Sequence, residues 1–89
     1  MRVLWTLTAW QQYVSWQQSD LAITAKINSF IEDIRRDPVG KGTGQPEFLK
    51  GPLHGFVSRR ITREHRLVYR VWGTGAEQTI EIILCRGHY

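Results

Sequence analysis

Five apolar residues in one short window constrain this 89-residue chain more than any other feature. Ile23, Ile27, Phe30, Ile31 and Ile34 stand at i, i+4, i+7, i+8 and i+11, the spacing that gathers side chains on one face of a helix with 3.6 residues per turn. Ser19 or Asp20 can cap that helix by accepting from backbone N–H groups of its first turn. Pro38 closes it, because the residue before a proline is pushed out of the helical region. Just upstream, Thr8 can cap a shorter helix through Gln18, with Trp10, Tyr13 and Val14 at helical spacing and Ala9 and Trp16 flanking them. With almost no residues between them, the two helices are expected to form an αα-hairpin. An apolar stripe on such a hairpin needs a second layer to cover it.

The rest of the chain can supply that layer. "RVLWT" at residues 2–6 reads as a short strand, and so do 55–61 ("GFVSRRI"), 65–72 ("HRLVYRVW") and 79–85 ("TIEIILC"). The connections "TRE" and "GTGAEQ" are of turn length, so antiparallel hairpins are expected. Helices followed by a run of strands point to an α+β fold, here a single domain over residues 1–89. A Gly- and Pro-rich linker, "PVGKGTGQP", separates the two halves. Its "GKGTG" lacks the spacing of a phosphate-binding loop. The single Cys85 excludes an internal disulfide and fits a reducing cytosol as a small core hydrophobe. No apolar stretch approaches a membrane span and the N-terminus lacks a signal-peptide pattern, so a cytoplasmic protein with no membrane association is expected.

Charge is unevenly placed. From Lys50 to Arg70 there are six cations, Lys50, Arg59, Arg60, Arg63, Arg66 and Arg70, against one acid, Glu64; of the net charge of +4, that segment carries +5 and the remainder −1. Two readings stay open, a solvated basic face or a polyanion site, of which nucleic acid is the simplest. Period-2 geometry puts Arg66, Val68 and Arg70 on one face of their strand and Leu67, Tyr69 and Val71 on the other. If the preceding turn has an odd number of residues, Arg60 lies across from Arg66 on a face that the helices leave open; an even turn separates them.

The chain then stops on "CRGHY", with side chains suited to moving protons or stacking on a base. No metal site is expected, since His54, His65, His88 and Cys85 form neither a Cys-x-x-Cys pair nor a helical His pair. A Ser or Cys hydrolase lacks its nucleophile elbow. Cofactor-free, metal-independent RNA cleavage would use what remains: Glu47 as base on the 2′-hydroxyl, His88 as acid on the departing 5′-oxygen, and Arg60 and Arg66 neutralising the phosphoryl oxygens. DNA, lacking the 2′-hydroxyl, would resist this route. Arg59 and Arg63 would serve as steering charges for RNA.

"PEFLKGPLHGFVSRRITREHRLVYRV", together with the terminal "CRGHY", closely resembles the YoeB-type toxins of the RelE/ParE superfamily. The likeness begins with the Trp, Tyr and Gln pattern of the first helix and covers nearly the whole chain. It implies two helices packed on a twisted antiparallel sheet of four or five strands. It also implies a toxin of a type II toxin-antitoxin system, an endoribonuclease that enters the 70S ribosome and cuts mRNA in the A site, leaving a 2′,3′-cyclic phosphate. The family's catalytic positions fall on Glu47, Arg60, Arg66, His88 and Tyr89, and a phosphate contact falls on Lys50. The resemblance further implies a YefM-type antitoxin partner, contact with operator DNA only through that antitoxin, and a homodimer. Trp5, Trp10 and Trp16 could serve the dimer interface or the core. Three departures stand out: Val57 and Gly87 replace usual aromatics, which is expected to reduce stacking on RNA and leave the terminus more mobile, and Phe48 replaces a Pro beside Glu47. The rival readings are the gyrase-targeting members of the superfamily, which share the fold but lack the Glu, the paired arginines and the terminal His-Tyr, and a plain DNA-binding module, which only the charge supports.

Overall fold

The computed structural model describes residues 1–38 and 42–89, so part of the expected linker, residues 39–41, lies outside the described residues. In chain order the elements are β1 (Arg2–Trp5), α1 (Leu7–Ser19), α2 (Leu21–Arg36), β2 (Glu47–Phe48), β3 (Val57–Arg60), β4 (Arg66–Trp72) and β5 (Thr79–Leu84). The strands form one five-stranded sheet in the order β1-β5-β4-β3-β2. Its β2–β3, β3–β4 and β4–β5 pairs are antiparallel, whereas β1 joins β5 in parallel, with Arg2 beside Thr79 and Trp5 beside Ile82. The sheet is therefore mixed. A connection between parallel neighbours cannot be a tight turn, and here everything from α1 to β4 lies between them.

Local chemistry explains the helix boundaries. Thr6, not Thr8, caps α1: its Oγ1 accepts from Ala9 N at 3.2 Å, and its own N–H donates to Ile82 O at 3.0 Å as the chain leaves the sheet. Both threonines have the right side chain, but only Thr6 adjoins the end of β1. Asp20 serves two helices at once. Its N–H donates to Trp16 O, ending α1, and its carboxylate accepts from Ala22 N and Ile23 N, starting α2. Helix α2 ends at Arg36, two residues before Pro38.

The expected stripe of α2 faces inward. Ile27, Phe30 and Ile34 are buried and Ile23 and Ile31 half-buried, packed with Leu67, Tyr69, Ile80, Ile82 and Cys85 from the sheet. Each fully buried aliphatic or aromatic side chain of this kind contributes about 1.5–3 kcal/mol relative to exposure. Trp16 is part of that core, and Trp5 packs against it, stacked on Tyr13. Of the three tryptophans considered for an interface, Trp10 alone is largely exposed. Burial also pushes the Cys85 thiol up to about 12, so it stays protonated and acts as a core hydrophobe.

One buried cation crosses this core. Arg59 is 0% exposed. Its Nε donates to Tyr69 Oη at 3.0 Å, its Nη1 donates to Thr43 O at 3.1 Å, and Nη1 lies 3.8 Å from Asp33 Oδ2 on α2. It therefore joins β3, β4, α2 and the 42–46 loop. The loop packs tightly there: Gly44 sits at φ +83, and a Cβ on it would come 2.7 Å from Phe30 Cζ, so only glycine fits both the conformation and the space.

Breaking this arrangement should be costly. Arg59→Ala is expected to lower unfolding stability by about 3–5 kcal/mol, the usual cost of truncating a large, fully buried side chain and leaving the Tyr69 hydroxyl and Thr43 carbonyl without it, while Arg63→Ala at an exposed position should stay within about 0.5 kcal/mol. Urea unfolding of both variants checks this. The Asp33 carboxyl is held below its ordinary range, chiefly by a hydrogen bond from the Thr43 hydroxyl. A depressed carboxylate contributes stability that is fully present above its unfolded value of 3.8 and is lost as pH falls through its lower folded value. Asp33→Asn should flatten that acid limb of the stability profile.

Candidate active site

Strand register decides which residues share a surface. Glu47 pairs with Ser58 and Ser58 with Val68, one row across three strands; Arg60 pairs with Arg66 one row further on. Because side chains two apart point the same way, all five lie on one face, opposite Leu67 and Tyr69 and the helices. The turn between β3 and β4 spans residues 61–65, an odd number, and the Arg60–Arg66 pairing follows. Two guanidinium-bearing residues directly across an antiparallel ladder, about 4.5–5.5 Å apart at Cα, repel unless an anion lies between them.

The individual placements differ. Arg60 is exposed, with its backbone N–H donating to Gly44 O at 2.7 Å. Arg66 is half-buried, and its Nη1 donates to Thr62 O at 2.8 Å, Arg63 O at 3.1 Å and His65 O at 3.2 Å. The side chain thus braces the turn that precedes it. Glu47 is exposed on the two-residue edge strand β2 and, among the described residues, its carboxylate has no hydrogen-bond or ion-pair partner. Lys50 and Arg63 are also exposed, in the loops beyond β2 and β3. Arg59 is not: the expectation that it steers RNA is corrected by its complete burial on the helix side, where Asp33, Thr43 and Tyr69 engage it. Arg70 is paired as well, its Nε 3.1 Å and its Nη2 3.0 Å from Glu81 Oε1. Of the six cations in the basic segment, four remain for an anion: Lys50, Arg60, Arg63 and Arg66.

The "CRGHY" ending is tied down as far as Gly87. Cys85 N donates to Gln12 Oε1 and Cys85 O accepts from Trp16 Nε1, both at 2.8 Å. Arg86 Nη1 donates to Ser15 Oγ at 2.7 Å, and its guanidinium lies 4.4 Å over the Trp16 ring. Gly87, at φ +78, donates to His65 Nδ1 and accepts from Arg66 N, again both at 2.8 Å. The left-handed conformation that glycine adopts readily is what turns both its polar groups toward His65 and Arg66. Beyond it, Tyr89 Oη lies 3.4 Å from Ser58 Oγ, placing the last ring over the same face as Arg60 and Arg66. His88 is exposed beside it, its Nδ1 3.4 Å from Tyr89 O.

Several of these contacts were invisible in sequence reasoning. Ser58, Gln12, Ser15, Trp16 and His65 position the terminus across separations of 22 to 73 residues, and no local pattern marks them. Among the described residues, no group of three His, Cys, Asp or Glu is placed to hold a metal ion.

Two helices covering one face of a five-stranded mixed sheet, with Arg60, Arg66 and the terminal Tyr89 on the other, define a small α+β protein with a basic open face. Family comparison narrows this class. Residues 5–89 match the model of the YoeB-like toxin of bacterial type II toxin-antitoxin systems. Toxin YoeB of Escherichia coli K12 is 47% identical over 100% of both chains. Among solved structures, a YoeB/ParE toxin from Agrobacterium tumefaciens is 50% identical, with a TM-score of 0.96 over 100% of both chains. Staphylococcus aureus YoeB, 38% identical over 100% of this chain and 98% of that one, is solved in a heterotetrameric YoeB–YefM complex (TM-score 0.89) and as a dimer (TM-score 0.86). The chain belongs to the YoeB-like toxin family of bacterial type II toxin-antitoxin systems.

The bracing of the 61–65 turn by Arg66 has a measurable consequence. Arg66→Ala is expected to cost about 1–2 kcal/mol of stability through its lost carbonyl contacts, whereas Arg60→Ala should cost less than about 0.5 kcal/mol. Chemical denaturation of the two variants would separate them, and equal values would show that the Arg66 contacts add nothing.

Proposed function

We propose that this protein is a ribosome-dependent, metal-independent endoribonuclease that cuts mRNA in the A site of the 70S ribosome and so inhibits translation. The observation that carries the reading is the shared surface of Glu47, Arg60, Arg66 and Tyr89, set by strand register and by the Ser58–Tyr89 contact. Glu47 takes the proton of the 2′-hydroxyl; the oxygen attacks phosphorus; the P–O5′ bond breaks; His88 protonates the departing 5′-oxygen, leaving a 2′,3′-cyclic phosphate. Arg60 and Arg66 stabilise charge on the phosphoryl oxygens, Tyr89 donates a hydrogen bond to them, and Lys50 and Arg63 hold flanking phosphates. Support for ribosome dependence comes from Arg66, whose Nη1 is occupied by its own turn. An isolated site in that state is not aligned for reaction, and docking on ribosomal RNA would supply the orientation.

The partner reading follows the Staphylococcus aureus complex: a YefM-type antitoxin restrains the protein in the cytoplasm and carries any contact with operator DNA. A homodimer is proposed from the dimeric relative, with exposed Trp10 on α1 as its candidate contact.

Mapping mRNA ends in a translation extract tests the activity: added protein should produce A-site cuts with cyclic phosphate ends. Cuts that appear equally fast on ribosome-free mRNA would remove the ribosome from the mechanism. Deleting His88 and Tyr89 should slow cleavage by about 100–10,000-fold without unfolding the domain, since β5 ends at Leu84. Arg66→Lys should rescue an Arg66→Ala loss poorly, because an ammonium cannot reproduce the guanidinium fork. If RNA is held by the four available cations of the basic segment, the dependence of binding on salt should have a log–log slope no steeper than about −3 for single-stranded RNA.

A further inference from the structure

We infer that His65 is a positioning residue for the terminal pair, holding His88 and Tyr89 in place through the hydrogen bond that its Nδ1 accepts from the Gly87 N–H. The functional half of this inference rests on the ribonuclease reading; the structural half stands on geometry alone.

After β5 ends at Leu84, the chain is fastened first to α1, through Cys85 on Gln12 and Trp16 and through Arg86 on Ser15. Those anchors lie on the helix side. The terminal residues are needed on the opposite, open face, so the chain has to change direction between Arg86 and His88. Gly87 makes that change, and its two backbone bonds fix the new direction. Beyond it, among the described residues, two longer contacts follow, each 3.4 Å. Gly87 is therefore the last firmly held point before the proposed acid.

Of its two bonds, one goes to the backbone N–H of Arg66 and the other to the ring of His65. The ring is itself held. It makes a T-shaped contact with Trp16, centroids 4.8 Å apart, and the backbone that carries it is fixed in the turn: the His65 amide donates to Thr62 Oγ1 at 3.2 Å and the His65 carbonyl accepts from Ile61 N at 2.9 Å. An imidazole nitrogen accepts a hydrogen bond only when it carries no proton, so Nδ1 must be bare and the ring proton must sit on Nε2. The consequence is geometric. The same dipeptide, His65–Arg66, carries one arginine of the clamp and both attachments of Gly87. The distance from the phosphate clamp to the acid is thereby set within one short segment, where a 1 Å error can cost about 100-fold in rate.

The test compares His65→Leu with His65→Asn, whose side-chain oxygen is bonded to Cγ as Nδ1 is and can accept from Gly87. In the Leu variant the Gly87 amide should lose its protection from hydrogen exchange, and kcat for A-site cleavage should fall about 100-fold with KM little changed. The Asn variant should restore Gly87 protection and most of kcat. The inference is overturned if Gly87 stays protected in the folded Leu variant, if protection is lost while kcat holds, or if folded Asn behaves like Leu. Should neither variant fold, nitrogen chemical shifts of the His65 ring in the wild-type protein decide: a bare Nδ1 and a protonated Nε2 support the bond, and the reverse tautomer excludes it. A wild-type protein that cuts nothing overturns the ribonuclease reading and the positioning claim with it, and is distinguished from failure of the bond alone because Gly87 exchange needs no activity.

Discussion

A single buried guanidinium organises this small protein. Arg59 faces inward from β3 and reaches helix α2 through Asp33, the 42–46 loop through Thr43, and β4 through Tyr69. Taking such a charge out of water is expensive unless every donor finds an acceptor, which makes its surroundings intolerant of rearrangement. The Tyr69 hydroxyl responds to the same pocket: burial raises its pKa, opposed by the hydrogen bond and charge of Arg59. Strand alternation carries the effect to the other face. With Arg59 turned inward, Ser58 and Arg60 must turn outward, and a one-residue slip that exposed Arg59 would bury Arg60 instead. Two adjacent arginines thus perform opposite tasks, and the buried one dictates where the exposed one points.

Most of the architecture was legible in the sequence because its apolar periods are strong. The α2 stripe predicted the core face of that helix, and the odd 61–65 turn allowed the Arg60–Arg66 pairing that the register displays. What local pattern could not reveal were the long-range choices. Thr6 and Thr8 are equally good caps in isolation, and the end of β1 selects Thr6. The parallel docking of β1 on β5 depends on residues nearly the whole chain apart. Strand β2 has only two residues, too few for any alternation to register.

The candidate site divides along the same line. The residue types and their family positions were readable, but a count of basic residues treats all arginines alike. In the folded chain Arg59 is inside, Arg70 is paired with Glu81, and Arg66 has turned back onto its own loop. Charge in a sequence is therefore an upper limit on the charge a surface presents. The supports of the terminus come from α1 and the 61–65 turn, where Gln12, Ser15, Trp16 and His65 look like ordinary helix and turn residues.

The parallel pairing of β1 with β5 carries a consequence for how such a chain is made. Strand β5 lies inside the sheet, between β1 and β4, yet it follows every other element in the chain. Until residues 79–84 have been synthesised, β1 has no strand to join, and α1 lacks the Cys85 backbone on which Gln12 and Trp16 close. Contacts of such sequence separation are among the slowest to form. The hairpin of β3 and β4, with its arginines, can precede them, but the face it presents lacks the Tyr89 ring until the final residues are in place. A nascent chain of this topology consequently keeps β1 and the outer turn of α1 without their sheet partner until its last strand is made, and the fold closes with that strand.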